Sequence, residues 1–344
     1  HDLTGKKKAR KVGTSNLHNL TELSMEESYH DKHGISQFLT DLAPKETPWD
    51  THRSNAQSVQ MLYEYSEEFN KYAERINGCS GILKFGFGED KLVLKQAFFC
   101  RVRFCPVCQW RRSLLWRAVM FQKLEEIKTQ YPTHRWVFLT LTVRNCDLVD
   151  LRDTLKDMNA SWKRMSETVA FKNGIAGFIR TTEVTRGKDG DMRAHPHYHA
   201  LLLVKPSYFS GKNYIKQPEW VEMWQKALRA DYAPSVNVKT VKQFAEGQLD
   251  KAICETLKYS VKPDDLIVSR DAGAWLHEMT RQVHKMRFIA TGGVLKGVLK
   301  PDDEISTEEM LTSSEEVEET DERRIAFQYH REHRRYAYAP RFNE

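Results

Sequence analysis

The chain has 344 residues, 40% of them hydrophobic, with 53 Lys and Arg against 47 Asp and Glu, a formal net charge of +6. No apolar run approaches the roughly 20 residues that span a bilayer, and the lysine-rich start does not look like a secretory signal, so a cytoplasmic, soluble protein with no membrane partner is expected. Six cysteines in a chain this long argue against a secreted disulfide scaffold. The charge is unevenly spread. Residues 301–322 hold eleven Asp or Glu and no Lys or Arg, which leaves 53 basic against 36 acidic residues elsewhere, or +17. A body that basic points to a polyanionic partner, most often nucleic acid.

In chain order, residues 1–45 read as a flexible basic arm (Lys6, Lys7, Lys8, Arg10, Lys11). Residues 46–130 read as a helical region with a zinc module. Its first part, 46–78, has helical spacing with Tyr63, Tyr65, Phe69 and Tyr72. Cys100, Cys105 and Cys108 follow at tight ligand spacing, with Cys79 upstream as a fourth thiolate; four thiolates on turns make a closed tetrahedral Zn²⁺ site that stabilises the surrounding fold. Trp110-Arg111-Arg112 then opens a helix to about residue 130, and Arg111 and Arg112 are candidate contacts to DNA phosphates. Cys146 and Cys254 are left over.

Residues 131–300 form the predicted catalytic domain. Residues 135–143 are β-branched and aromatic, hence a strand. Residues 148–171 carry Leu151, Leu155, Met158, Trp162 and Met165, a helical stripe. Strands at 175–185 and 197–204 flank a turn at 186–194 with Gly187 and Asp189-Gly190. A helix at 218–232, a strand at 236–241 and a helix at 249–261 that stops at Pro263 complete the series. Strand-helix-strand-strand-helix-strand is the split βαβ order. The expected class is therefore α+β, a ferredoxin- or RRM-like antiparallel sheet with helices on one face. Residues 301–322 read as a solvated acidic linker, and 323–344 as a basic aromatic tail that docks on the body or on DNA.

The chemistry concentrates in three places. His195-Pro-His-Tyr-His199 runs into the apolar strand Ala200-Leu-Leu-Leu-Val204. Residues two apart on a strand share a face, so His197 and His199 present two imidazoles side by side. Glu183, on the preceding strand, reaches the same face if the hairpin register is right. Two imidazoles and a carboxylate suit Mn²⁺ or Mg²⁺ with open positions. His195 sits beyond Pro196, which disturbs the ladder; it is a supporting residue, a DNA contact or a plain turn residue. Farther on, Glu255, Tyr259 and Lys262 share one face of a helix. The phenol of Tyr259 is a candidate nucleophile toward a phosphodiester, with Lys258 or Lys262 holding the phosphate and Glu255 as a general base. The same spacing also fits an amphipathic helix with a half-buried tyrosine.

Three runs occur together in order: Phe138-Leu-Thr-Leu-Thr-Val-Arg-Asn145, His195 to Val204, and Glu255-x-x-Lys-Tyr-x-x-Lys262. With the Cys-Pro-x-Cys-x-Trp-Arg-Arg run upstream, they resemble the motifs of replication initiators of small rolling-circle plasmids, within the HUH-endonuclease superfamily. The resemblance covers about residues 79–290 and implies a metal-dependent, site-specific nickase acting on single-stranded plasmid origin DNA. It implies His197 and His199 as metal ligands, for which Glu183 is the candidate acidic third, and Tyr259 as the nucleophile that takes up the 5′-phosphate and frees a 3′-hydroxyl primer. A single tyrosine stands in the third motif, and Glu255 matches the acidic residue one turn before it, which implies termination by activated water. Recognition of the double-stranded origin, a host helicase and a host polymerase follow from the resemblance alone. Other readings are a relaxase or transposase of the same superfamily, a zinc-containing DNA-binding regulator without cleavage, and an RNA-binding module using Phe138 and Tyr198 as a stacking pair.

Overall fold

The computed structural model describes residues 37–88, 91–187, 192–241, 247–258, 261–267, 271–311 and 319–343. The basic arm expected at 1–45 therefore lies outside the described residues up to position 36. In chain order the principal elements are α1 (Thr47–Glu64), α2 (Asn70–Gly78), β1 (Ile82–Gly88), β2 (Leu92–Ala97), α3 (Pro106–Gln130) and β3 (Arg135–Thr142). Then come α4 (Leu151–Ser166), β4 (Ile175–Arg186), β5 (Arg193–Val204), α5 (Gln217–Leu228), β6 (Val236–Val241) and α6 (Gln248–Thr256). The last are α7 (Ala272–Gln282), β7 (Ile289–Gly293), β8 (Glu319–His330) and β9 (Arg335–Tyr338). No described helix is long and apolar enough to cross a membrane.

The chain divides into two compact units, the first made of His1–Ser54, Gly78–Phe98 and Glu315–Glu344. Its antiparallel sheet has the order β9-β8-β1-β2. Trp49, from the first turn of α1, packs edge-on against Phe85 and Tyr336, with ring centroids 6.4 Å away in each case. Tyr336 donates its hydroxyl to Ser80 O at 2.7 Å, and Asp50 accepts the Tyr336 backbone N–H at 2.8 Å. The C-terminal residues are thus not a docked tail. Ile325, Phe327 and Tyr329 alternate as a strand that pairs with β1 in the register Leu83↔Phe327. That period-two pattern sits among arginines and glutamates, which masks it in a composition-led reading. β1 and β2 were likewise not expected in the helical region.

The second unit comprises Asn55–Asn77 and Phe99–Ser314. It is α+β, around an antiparallel sheet of order β6-β3-β5-β4-β7, with the two-residue strand Cys146–Asp147 paired to β5. One face is covered by α4 and α5, where Trp162, Trp220 and Trp224 are buried. Trp162 packs edge-on against Phe178 at 5.0 Å and Tyr198 at 6.0 Å, and Trp224 donates to Thr142 O at 2.8 Å. Side chains of this size contribute about 1.5–3 kcal/mol each when fully buried, enough to hold the strands rigid at polar ends. The opposite face is not bare, as the one-face expectation required. Trp136, Ile179, Leu201 and Leu203 meet Met120, Leu124 and Ile127 of α3 and Leu249, Ile253 and Leu257 at α6. The start of the acidic stretch is folded as well. Asp302 pairs with Arg103 at 3.1 Å, Glu304 with Arg287 at 3.1 Å and Glu309 with Lys300 at 2.6 Å. Residues 312–318 lie outside the described residues.

Candidate metal centre

On β5 the side chains of Leu203, Leu201, His199 and His197 point to one face by the strand's period of two. The first two enter the apolar core, and the imidazoles continue that face beyond it. The register with β4 pairs Glu183 with His197 and Thr181 with His199, so all four share the face. β5 runs unbroken through Pro196, paired with Val184, and begins at Arg193 rather than at His197. The ladder disturbance expected at the proline is absent.

The geometry converges on one oxygen. His197 Nε2 lies 3.0 Å and His199 Nε2 2.8 Å from Glu183 Oε2. The Lys258 ammonium reaches the same oxygen at 2.9 Å and Glu255 Oε1 at 2.6 Å. Glu183 is only 2% exposed. Burial alone would push its carboxyl up, but hydrogen bonds from His197, His199 and Lys258 hold it well below the usual carboxylate range. Burial would lower the Lys258 ammonium, and the bonds to Glu255 and Glu183 outweigh that and raise it.

Each imidazole is fixed from behind. His197 Nδ1 lies 3.2 Å from His195 O, and His199 Nδ1 lies 3.3 Å from Thr140 Oγ1. The Phe138 ring stacks on His199 with centroids 5.7 Å apart. Holding Nδ1 leaves Nε2 to face the carboxylate, the arrangement by which histidine ligands are oriented toward a metal. Glu183, His197 and His199 thus offer three ligand atoms within 4.8 Å of one another, a donor set that fits a divalent cation. His195 is outside this group; its Nδ1 lies 2.7 Å from Asn145 Oδ1. Thr140 and Asn145 were not singled out as site residues, and Phe138 only as half of a stacking pair. Their signal was present in the alternation of the 138–143 run, where Thr140 and Thr142 fall opposite His199 and His197.

The end of α6 is tied to this face. Thr181 Oγ1 donates to Thr256 O at 2.6 Å, and Ser113 Oγ of α3 donates to Leu257 O at 2.5 Å. Ser113→Ala leaves a buried carbonyl without its donor and is expected to cost about 1–3 kcal/mol, measured by urea unfolding. Unchanged stability would mean the α6 end is held by packing alone. Tyr259 lies outside the described residues. Glu255 is exposed on α6, and Lys262 is exposed and takes no part in the group around Glu183 among the described residues.

Other candidates are placed differently from expectation. Arg111 and Arg112 are buried, donating to Met310 O at 2.8 Å and Arg103 O at 2.9 Å, so they tie α3 to neighbouring backbone instead of facing phosphates. They carry few polar neighbours in sequence, so only packing reveals this. Phe138 and Tyr198 occupy opposite faces of β3 and β5, and Tyr198 is fully buried, its phenol pushed up to about 12 by desolvation. That removes the stacking pair of the RNA-binding reading. The thiols of Cys100, Cys105 and Cys108 are buried and come together in the second unit, with Cys100 Sγ 3.6 Å from Cys108 Sγ. Cys79 is buried just past the C-terminus of α2, in the first unit.

The profile of a family described as "Replication protein" matches residues 91–337. The chain belongs to this family of plasmid replication proteins. A "Protein rep" of Streptococcus pneumoniae is 37% identical over 230 residues, covering 66% of this chain and 71% of that protein. A "Protein rep" of Bacillus amyloliquefaciens is 35% identical over 283 residues, covering 74% and 82%. A "Replication protein" of Staphylococcus aureus is 36% identical over 205 residues, covering 57% and 86%. No solved structure matches the chain. The matched span of the replication protein family contains the Glu183, His197 and His199 group and the whole of the third motif.

Proposed function

We propose that this replication protein initiates rolling-circle replication of a plasmid as an HUH endonuclease of the single-tyrosine type. The observation that carries the reading is the meeting of His197 Nε2, His199 Nε2 and Lys258 Nζ at Glu183 Oε2, which brings the second and third motifs together. The strand order β6-β3-β5-β4, antiparallel throughout, supports assigning the core to the split βαβ class. Mn²⁺ or Mg²⁺ held by Glu183, His197 and His199 would polarise the scissile phosphate of single-stranded origin DNA. The Tyr259 oxygen attacks that phosphorus, the bond to the 3′ oxygen breaks, and the strand leaves with a free 3′-hydroxyl while the 5′-phosphate stays on the tyrosine. Lys258 and Lys262 offset the charge that builds on the phosphoryl oxygens. At the end of a round Glu255, four residues before Tyr259 in sequence, takes a proton from the water that resolves the ester. Cys100, Cys105 and Cys108 would contribute thiolates to a structural Zn²⁺ site. Origin DNA is the partner, a host polymerase extends the freed 3′ end, and a host helicase follows from the family resemblance, in the cytoplasm.

The test is covalent capture. Incubation with Mn²⁺ and a single-stranded origin oligonucleotide is expected to yield a protein–DNA adduct that survives denaturing electrophoresis and disappears with EDTA or in Tyr259→Phe. Glu255→Ala is expected to form the adduct and release it slowly. An adduct that persists in folded Tyr259→Phe removes the nucleophile assignment, and rapid release by Glu255→Ala removes the general base.

A further inference from the structure

β4 carries a second charged side chain three residues before Glu183. An odd spacing on a strand puts it on the opposite face, under α4. This is Arg180, 4% exposed. Its Nη2 donates to Asn159 Oδ1 at 2.7 Å, and its guanidinium lies 4.0 Å from the Tyr198 ring centroid. Its Nε and Nη1 have no hydrogen-bond partner among the described residues. A buried guanidinium with two unanswered N–H groups is costly to keep unless something supplies acceptors at some stage of function.

Arg180 lines a cleft of about 610 Å³ along β7, the edge strand of the sheet. Arg287, Lys296 and Lys300 line the same cleft, with Glu304 the one carboxylate among its lining residues. Glu304 is matched by Arg287 at 3.1 Å, and Lys300 is matched by Glu309 at 2.6 Å. Lys296 is exposed and has no ion pair among the described residues, so with Arg180 it leaves the cleft net positive. The volume is that of a site for a nucleotide-sized group and exceeds the need of a lone inorganic anion. Guanidinium groups favour phosphate through their paired N–H geometry.

We propose that this cleft, at the β7 edge of the sheet, is a second nucleic-acid site that holds a backbone phosphate of the origin strand between Arg180 and Lys296. It rests on the chain being a DNA-acting replication protein and not on the nicking chemistry. A strand gripped there is tethered while its scissile phosphate is exchanged at the metal centre.

Binding measured by fluorescence anisotropy, with a single-stranded origin oligonucleotide in EDTA, tests this without any cleavage step. Lys296→Glu is exposed and safe for folding. It is expected to weaken binding about five- to tenfold and to reduce the slope of log affinity against log salt by about 0.7, the value of one single-strand phosphate contact. Arg287→Ala/Lys296→Glu should weaken it further. Arg180→Lys, checked for an unchanged thermal midpoint, should lose affinity as well. Wild-type affinity and slope in both Lys296 variants would overturn the proposal. So would variants that lose deoxynucleoside monophosphate binding by calorimetry while holding DNA normally, since the cleft would then serve a free nucleotide. If no adduct ever forms but the anisotropy effects appear, the nickase reading fails and this inference stands.

Discussion

His197→Ala or His199→Ala is expected to lower the initial rate of adduct formation by about a thousandfold or more at saturating Mn²⁺, because cation assistance to a phosphoryl centre is worth several kcal/mol. Either change removes one of two imidazoles aimed at Glu183 Oε2. The surrounding groups predict a graded response. Thr140→Val deletes the oxygen 3.3 Å from His199 Nδ1 but leaves the ligand atom, so a loss of about 10- to 100-fold in cation affinity is expected, recovered by raising Mn²⁺. His195→Ala should change little at the metal, because His197 is held by the His195 backbone carbonyl and not by its ring. Glu183→Gln strips the charge that gathers two imidazoles and the Lys258 ammonium at one point, so cation binding should fail there even with both histidines present. A Mn²⁺ titration of initial rates separates these cases. Wild-type rates in His197→Ala across that titration would remove the histidines from the ligand set.

The second unit was legible in sequence because its elements each carry one clean period. The stripe Leu151, Leu155, Met158, Trp162 and Met165 became the buried side of α4, and the 135–143 run became β3. The Glu183–His197 register was legible only as one option: residues 200–204 are apolar and buried on both faces, so they do not select the inward face, and the pairing shows in the folded hairpin alone. The first unit was not legible, because β8 pairs with β1 across more than two hundred residues of chain, and no local pattern announces such a partner. Arg180, Arg111 and Arg112 were opaque for another reason. Arginine is expected at the surface, and only packing shows that these guanidinium groups are covered and bonded to an amide oxygen or to backbone carbonyls. The acidic stretch misled in the same way: Asp302 and Glu309 are answered by Arg103 and Lys300 rather than by water alone.

Stripping the proposed zinc is expected to produce the other large effect. Three buried thiols stand on the turn before α3 and in its first turn, where Pro106 occupies the opening helical position. Uncharged thiols are weak donors and acceptors, so packing three together gives little by itself, whereas a shared cation turns them into one rigid knot. Structural zinc binding is coupled to folding, and losing it here should cost several kcal/mol. For a unit of this size that lowers the unfolding midpoint by about 10 °C or more. Cys105→Ser should reproduce the shift, while Cys146→Ser and Cys254→Ser, outside the cluster, should each cost under about 1 kcal/mol. The effect should also reach the chemistry. Ser113 lies on α3 five residues after Cys108 and holds the carbonyl of Leu257, next to Lys258. A frayed α3 start therefore loosens the support under the third motif, and adduct formation should fall even when Mn²⁺ is restored in excess. One zinc per chain by metal analysis, a lowered midpoint and slowed nicking after chelation form one linked outcome. A stripped protein that melts at its original temperature would reduce the three cysteines to buried apolar side chains and cut that link.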